Sequence, residues 1–419
     1  MKTIILNNRN YRRYAMRRIF ALLVLGLVIG IGAAGVGADV IKIGALAPLS
    51  GAIAPYGPPI INGAKLAVEQ INAAGGVLGE KLDLVVRDTA SVPDVGRDAA
   101  RKLVEIDRVP AIIGAFSSGV TLAVSSVTIP AEVVLVSPVS VSAAISALND
   151  DDYVFCTIVS NDVQGRVLAR LARLLNYDTV SVVYIDNAYG KDLADGFVQS
   201  YARYGGTVDA AVPYEQDRPS YRSEIEKAIA DNPEALLLIS YAIDGRKQIV
   251  EAIEAGYQGK FLFSSSMTGK EVAPGPGCIS ADEPGPIEGA FGTAPAGTGF
   301  RVEQFEADFT ARFGAVNVPP FYYQAYDAAM LVALAIERAG KATGEAIRDN
   351  LRAVANPPGE KVYYGEWAKA VSLLKAGKEI NYEGVSGSVD FNSKGGVTAK
   401  ILIWQVKGCQ VMPVLSVSG

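Results

Sequence analysis

Val40-Ile41-Lys42-Ile43-Gly44-Ala45-Leu46-Ala47-Pro48-Leu49, then Pro58–Ala74, then Leu82–Arg87, is the stretch that decides the fold. The first and last segments are apolar runs of strand length. Between them Ile60, Ile61, Ala64, Ala67, Val68 and Ile71 recur at i, i+3, i+4 and i+7, which is one face of a helix. Gly75-Gly76 supplies the stop, because glycine adopts the left-handed conformation that ends a helix. The unit is therefore strand, helix, strand.

The same alternation continues outward. Helices are expected at Asp94–Arg108 and Gly119–Val127, with strands at Ala111–Phe116 and Val133–Val136. It restarts after Asp150–Asp152. Strands at Tyr153–Ile158, Thr179–Ile185, Val208–Val212, Ala235–Ser240 and Lys260–Phe263 alternate with helices at Asp162–Leu175, Gly190–Tyr204, Tyr221–Ala230 and Gly245–Ala255. Apolar strands separated by amphipathic helices imply parallel-rich sheets covered on both faces. Two runs imply two α/β lobes.

The remainder breaks the pattern. Glu271–Pro286 is rich in Gly and Pro and reads as a loop. Helices follow at Val302–Phe313, Gln324–Ala339, Glu345–Ala355 and Glu366–Ala376. Gly387–Phe391 and Ala399–Val406 read as strands of a hairpin joined by Asn392-Ser393-Lys394-Gly395-Gly396. Neither block has a core of its own, so the helices are expected to return to the first lobe and the hairpin to the second. The lobes are expected at 39–156 plus 292–382 and at 157–291 plus 383–419. Repeated crossing between lobes is hinge architecture.

Composition narrows the chemistry. The chain has 419 residues, half of them hydrophobic, no histidine and three cysteines. Lack of histidine removes Ser-His-Asp and Cys-His catalysis and His-ligated zinc. Three cysteines cannot build a disulfide framework or a four-cysteine metal site. No cofactor is expected.

Met1–Ala38 carries Lys2, Arg9, Arg12, Arg13, Arg17 and Arg18 and no acid, then an apolar run from Ile19 to about Ile31, then small residues ending Val36-Gly37-Ala38. This order is that of a secretory signal peptide, expected to be cleaved after Ala38; a membrane anchor is the alternative. Met16 is an alternative start. Gly30-Ile31-Gly32-Ala33-Ala34-Gly35 fits a dinucleotide-binding spacing but follows no strand, so it is set aside. Without the leader, 33 basic and 44 acidic residues remain. That acidic balance argues against nucleic acid as a partner.

Several segments together carry a resemblance. They are Ile41–Gly51; Asn62–Asn72; Ala74–Gly79; Gly114-Ala115-Phe116-Ser117-Ser118-Gly119; Asp186-Asn187-Ala188-Tyr189-Gly190; and Ala325-Tyr326-Asp327-Ala328-Ala329. In order and spacing, from Val40 to Val406, the chain resembles the Leu/Ile/Val-binding family of periplasmic substrate-binding proteins of ABC transporters, type I fold. The resemblance implies two lobes, three hinge strands, a ligand cleft that closes on binding, and delivery to a membrane permease. It implies no enzymatic activity.

It also nominates ligand-binding residues. Ser117 and Ser118 sit where an apolar strand meets a helix, so hydroxyls and free N–H groups would favour a carboxylate there; an ordinary N-cap is the alternative. Ser137–Ser142 repeats the pattern. The family commonly has Thr where Val141 stands, so Ser140 or Ser142 is expected to substitute. Tyr189 is expected to face the ligand from the second lobe. Asp162 and Gln164 open the helix after a hinge strand and either reach the cleft or serve the helix. Tyr241, Ala242 and Asp244 form the next strand-to-helix turn, where Asp244 could equally be a cap. Branched-chain binders place an acid after the following strand to meet the ligand ammonium; this chain has Ser264-Ser265-Ser266, so either Asp244 or Asp162 supplies the charge or the ligand carries no ammonium. Phe321, in Phe321-Tyr322-Tyr323-Gln324, is either a cleft wall or core.

Cys156 stands where family members often carry Arg and is expected buried and free. Cys278 and Cys409 fall in segments assigned to the second lobe, and in an oxidising compartment they are expected to pair. The resemblance thus implies a periplasmic binder of a small amino acid, carboxylate or amide. A ligand-sensing receptor and an exported hydrolase are the alternatives.

Overall fold

The computed structural model describes residues 40–268, 278, 280, 282, 285–295, 297–315 and 321–418. The leader, Met16 and the Gly30–Gly35 spacing lie outside them, as does most of Glu271–Pro286.

The first sheet has the order β2-β1-β3-β4-β5, from β1 (Val40–Ala47), β2 (Lys81–Asp88), β3 (Ala111–Ile113), β4 (Val134–Ser137) and β5 (Val154–Cys156). β1 pairs with β3, β3 with β4 and β4 with β5, all parallel. β3 and β4 are buried along their whole length, as helices on both faces require. The intervening helices are α1 (Gly57–Ala73), α2 (Pro93–Glu105), α3 (Ser118–Thr128) and α4 (Ala143–Ser146).

The second sheet has the order β15-β14-β10-β9-β8-β6-β7. It is built from β6 (Thr179–Ile185), β7 (Thr207–Tyr214), β8 (Ala235–Ile239), β9 (Lys260–Phe263), β10 (Phe291–Pro295), β14 (Ile401–Lys407) and β15 (Gln410–Val417). β7, β6, β8, β9 and β10 run parallel, and β14 and β15 close the edge antiparallel. Helices α5 (Asn161–Leu174), α6 (Ala188–Arg203), α7 (Arg222–Ala228) and α8 (Ala242–Glu254) belong to this lobe.

The four later helices are α9 (Val302–Phe313), α10 (Tyr322–Ala339), α11 (Gly344–Ala355) and α12 (Trp367–Lys375). They pack beside the first sheet and its helices. α10 lies against α1 and is buried from Tyr323 to Glu337. A helix apolar on every side belongs in a core. Gln324, Asp327 and Glu337 are buried polar exceptions on that helix, and Asp327 is the deepest. Its carboxylate accepts from the Tyr382 hydroxyl, the Val385 and Ser386 amides and the Ser386 hydroxyl. Burial pushes its pKa up to about 6 against those hydrogen bonds. It fixes α10 to the turn between β12 (Ile380–Gly384) and β13 (Gly387–Ser388), which form a third small sheet with β11 (Glu360–Val362).

Two expectations need correction. The hairpin is β14–β15, joined by Gly408-Cys409, both at positive φ, as two-residue hairpin turns favour. Asn392–Gly396 does form a turn, with the Asn392 amide donating to the Gly396 carbonyl, but only one bridge, Phe391–Val397, flanks it. The lobe boundaries move as well. Gly292–Pro295 belong to β10 in the second sheet. Residues 383–397 stay with the first lobe: Phe391 packs edge-on against Phe155, and Arg352 donates to the Asn392 carbonyl. The chain therefore crosses after Cys156, after Pro295 and between Val397 and Ile401.

Cys278 and Cys409 are joined by a disulfide, tying the 278 region to the β14–β15 turn. Cys156 is free and half-buried, and burial pushes its thiol up to about 12.

Candidate ligand-binding site

Each residue of the interlobe cavity sits just beyond a strand's carboxyl end or at the start of a returning helix. Such turns are where open α/β sheets receive ligands. The β1–α1 connection gives Ile53 and Tyr56, and α1 gives Ile60. The β3–α3 turn gives Phe116, Ser117 and Ser118. Val139 and Val141 follow β4, and Ile158 follows β5. From the second lobe come Tyr189, Tyr241, Ser265 and Ser266, and Phe321 begins α10. They line a tight cavity of about 50 Å³.

Ser117 is the N-cap of α3, yet its side chain makes no capping bond, and the residue lines the cavity. Ser118 is buried, and its Oγ accepts from the Val141 and Ser142 amides, each at 3.3 Å. That contact docks the β4–α4 turn onto α3.

The opposite wall is tied together internally. The Tyr189 hydroxyl and Ser266 Oγ are 2.9 Å apart, and Ser266 donates to the Ser240 carbonyl at 2.7 Å. Tyr189 and Tyr241 stack with ring centres 6.0 Å apart. Burial raises the pKa of both phenols, so each remains neutral. Gln164 lies behind Ser265: its Nε2 donates to Ser265 Oγ at 3.1 Å, and its Oε1 accepts from the Ser265 amide at 3.2 Å.

Tyr56 reaches across. Its hydroxyl accepts from the Ala242 amide at 2.9 Å and donates to the Ser266 carbonyl at 3.3 Å. Asp192 does the same from the other side, accepting from the Ala143 amide at 2.9 Å. The lobes are closed on one another.

Six nominated residues thus share one cavity: Ser117, Ser118, Tyr189, Tyr241, Ser265 and Phe321. Five do not line it. Ser140 is buried behind the turn, 2.7 Å from Thr121 Oγ1. Ser142 caps α4 by accepting from the Ala144 amide. Gln164 supports Ser265 from behind. Asp162 is exposed and paired with Arg166 at 2.8 Å. Asp244 is buried but accepts from the Tyr221 hydroxyl at 2.6 Å, and burial raises its pKa despite that bond.

Sequence reasoning missed Ile53, Tyr56, Ile60, Phe116, Val139, Ile158 and Ser266. A uniform rule, that the turn after each strand faces the cleft, would have found most of them. No group of His, Cys, Asp and Glu suited to a metal ion occurs among the described residues.

Comparison with known sequences agrees with this architecture. The model of the periplasmic binding protein family matches residues 40–409. The chain belongs to that family. More closely, it falls in the Leu/Ile/Val-binding-protein-like group of type I fold.

A chemotactic signal transduction system substrate-binding protein, BasB of Halobacterium salinarum, is 30% identical over 361 residues, 84% of each chain. The leucine-, isoleucine-, valine-, threonine- and alanine-binding protein of Pseudomonas aeruginosa is 26% identical over 344 residues, 81% of this chain and 88% of its own. Among solved structures, the solute-binding protein of an ABC transporter from R. palustris, in complex with benzoate, superposes with a TM-score of 0.74. It shares 17% identity, with 90% of this chain and 96% of that one covered; at that identity the likeness is one of fold. The expected α/β fold with parallel-rich sheets and flanking helices is borne out.

Proposed function

We propose that this periplasmic-binding-family protein is the extracytoplasmic substrate-binding component of an ABC importer. It takes a small amino acid, or a related carboxylate or amide, into the interlobe cavity and hands it to a membrane permease. The observation that carries this reading is the cavity itself. The Ser117–Ser118 turn offers hydroxyls from one lobe, while stacked tyrosines and serines close it from the other. The ligand would favour the closed form through contacts that exist only when both walls meet.

In this reading Met1–Ala38 directs export, the two sheets define the lobes, and the three crossings hinge them. Ser117, Ser118, Tyr189, Tyr241, Ser265 and Phe321 touch the ligand. Gln164 and Ser142 act behind them. The protein releases its ligand unchanged and needs no cofactor. The amino-acid-binding relative and the benzoate-bound neighbour together support amino acids and aromatic acids as the compounds to try first.

One observation favours a second role. BasB's name assigns it to a chemotactic system, so the closed form could be read by a receptor instead of a permease.

The test is a thermal-shift screen of amino acids, amides and organic acids, followed by calorimetry, since a ligand that binds only the folded state raises its melting temperature. A saturable ligand recovered chemically intact is expected; a chemically altered one would make the protein an enzyme. Adding the liganded protein to vesicles carrying the cognate permease separates the roles: stimulated ATP hydrolysis marks an importer.

A further inference from the structure

Among the described residues, none that lines the innermost cavity carries a charge. The residues that line it are aliphatic, aromatic or hydroxyl-bearing. The acids nominated for an ammonium are both engaged elsewhere. Asp162 is out at the surface, held by Ser160 and Arg166. Asp244 is engaged by the Tyr221 hydroxyl and does not line the cavity. Asp192 is half-buried and already accepts from the Ala143 amide. Asp186 and Glu215 line an adjoining hollow at the cavity mouth, where both are exposed to solvent.

A buried ammonium needs a countercharge, and hydroxyl groups alone do not replace its lost hydration. A carboxylate faces a different wall. The Ser117 hydroxyl is uncommitted to its helix, and α3 runs for eleven residues, long enough to direct N–H dipoles at an anion. Tyr189 and Tyr241 stand on the other wall, and Phe116 and Phe321 line the same cavity, which suits an apolar body.

We infer that the ligand is a small organic acid without an ammonium group, its carboxylate on the Ser117–Ser118 turn and its aliphatic or aromatic body among the tyrosines and phenylalanines. This rests on the binding-protein reading and names the ligand class of that site.

Calorimetry with matched pairs decides it: 4-methylpentanoate against leucine and 3-phenylpropanoate against phenylalanine, with benzoate beside them. The deaminated acid of at least one pair is expected to bind about 100-fold more tightly than its amino acid, equal to about 2.8 kcal/mol at 1.4 kcal/mol per decade. An amino acid binding as tightly as its deaminated partner, or more so, would overturn the inference and leave the binding-protein reading standing. Failure of every acid and amino acid to saturate the protein in the millimolar range would overturn both.

A second variant checks the cause. Ser265→Asp keeps the acceptor that Gln164 Nε2 now meets and adds a carboxylate beside the cavity. It should narrow the preference within the tested pair by improving the amino acid at least tenfold. An unchanged ratio in a variant that melts as the parent does would remove missing countercharge as the explanation. If the variant does not fold, the matched pairs on the parent protein still decide.

Discussion

The two walls of the cavity differ in what their polar groups already do. On the second-lobe side each one has a protein partner: Tyr189 with Ser266, Ser265 with Gln164, Tyr241 with Asn187 at 3.4 Å. On the first-lobe side Ser118 joins two turns, whereas Ser117 makes no capping bond. The second wall is pre-assembled and supplies shape; the first offers a hydroxyl to an incoming molecule. Preorganised surfaces lose less entropy on binding, so this division lets affinity come from one side and selectivity from the other.

Substitutions test that division. Tyr189→Ala should do most harm, opening the wall and unpartnering Ser266; by analogy with large aromatic deletions the cost is about 3 kcal/mol, read as roughly a hundredfold weaker binding in calorimetry. Retained affinity would mean the ring is packing and not wall. Gln164→Ala should lower stability by about 2 kcal/mol, because the buried Ser265 amide and hydroxyl lose partners; denaturant melts measure it. Tyr56→Phe removes both cross-lobe bonds and should weaken ligand binding by about 1 kcal/mol, with small-angle scattering showing a more open average shape. Ser117→Ala should weaken binding about fivefold, within the net value of one hydrogen bond, with no change in melting temperature. A matching loss of stability would make Ser117 part of the scaffold and erase the contrast. Asp192→Ala should give the smallest effect, a less than threefold loss through easier opening, since a half-exposed polar contact is worth little.

Much of this was legible beforehand. Strand and helix order followed from apolar spacing, because covered parallel strands and amphipathic helices leave distinct periods. Ser117, Ser118, Tyr189 and Tyr241 could be named because they fall in strand-to-helix turns. The misses have local causes. In the turn from Ser137 to Ser142, Val139 and Val141 line the cavity while Ser140 is committed to Thr121 and Ser142 to the Ala144 amide. In α5, Asp162 and Gln164 are two residues apart, too far round the helix to share a face. Gln164 turns inward to Ser265 and Asp162 outward to Arg166. Sequence carries the identity of those residues but not the rotation of the helix about its axis. Tyr56 was hidden for another reason: its value lies in reaching the far lobe, which only the closed arrangement reveals. The β14–β15 hairpin was missed because Gly408-Cys409 is a weaker turn cue than Asn392–Gly396, and a cysteine at φ 61° is unusual.

The disulfide has a topological consequence. Cys278 and Cys409 are 131 residues apart, and the chain between them leaves the second lobe after Pro295, builds the later helices and comes back before Ile401. The bond therefore makes a covalent ring that passes through two of the three crossings. A single protease cut anywhere in the returning helices would leave one molecule on a non-reducing gel and two fragments once dithiothreitol is added. Both anchor points lie on the same rigid half, so the ring adds no strut across the cleft and leaves the jaws free to open.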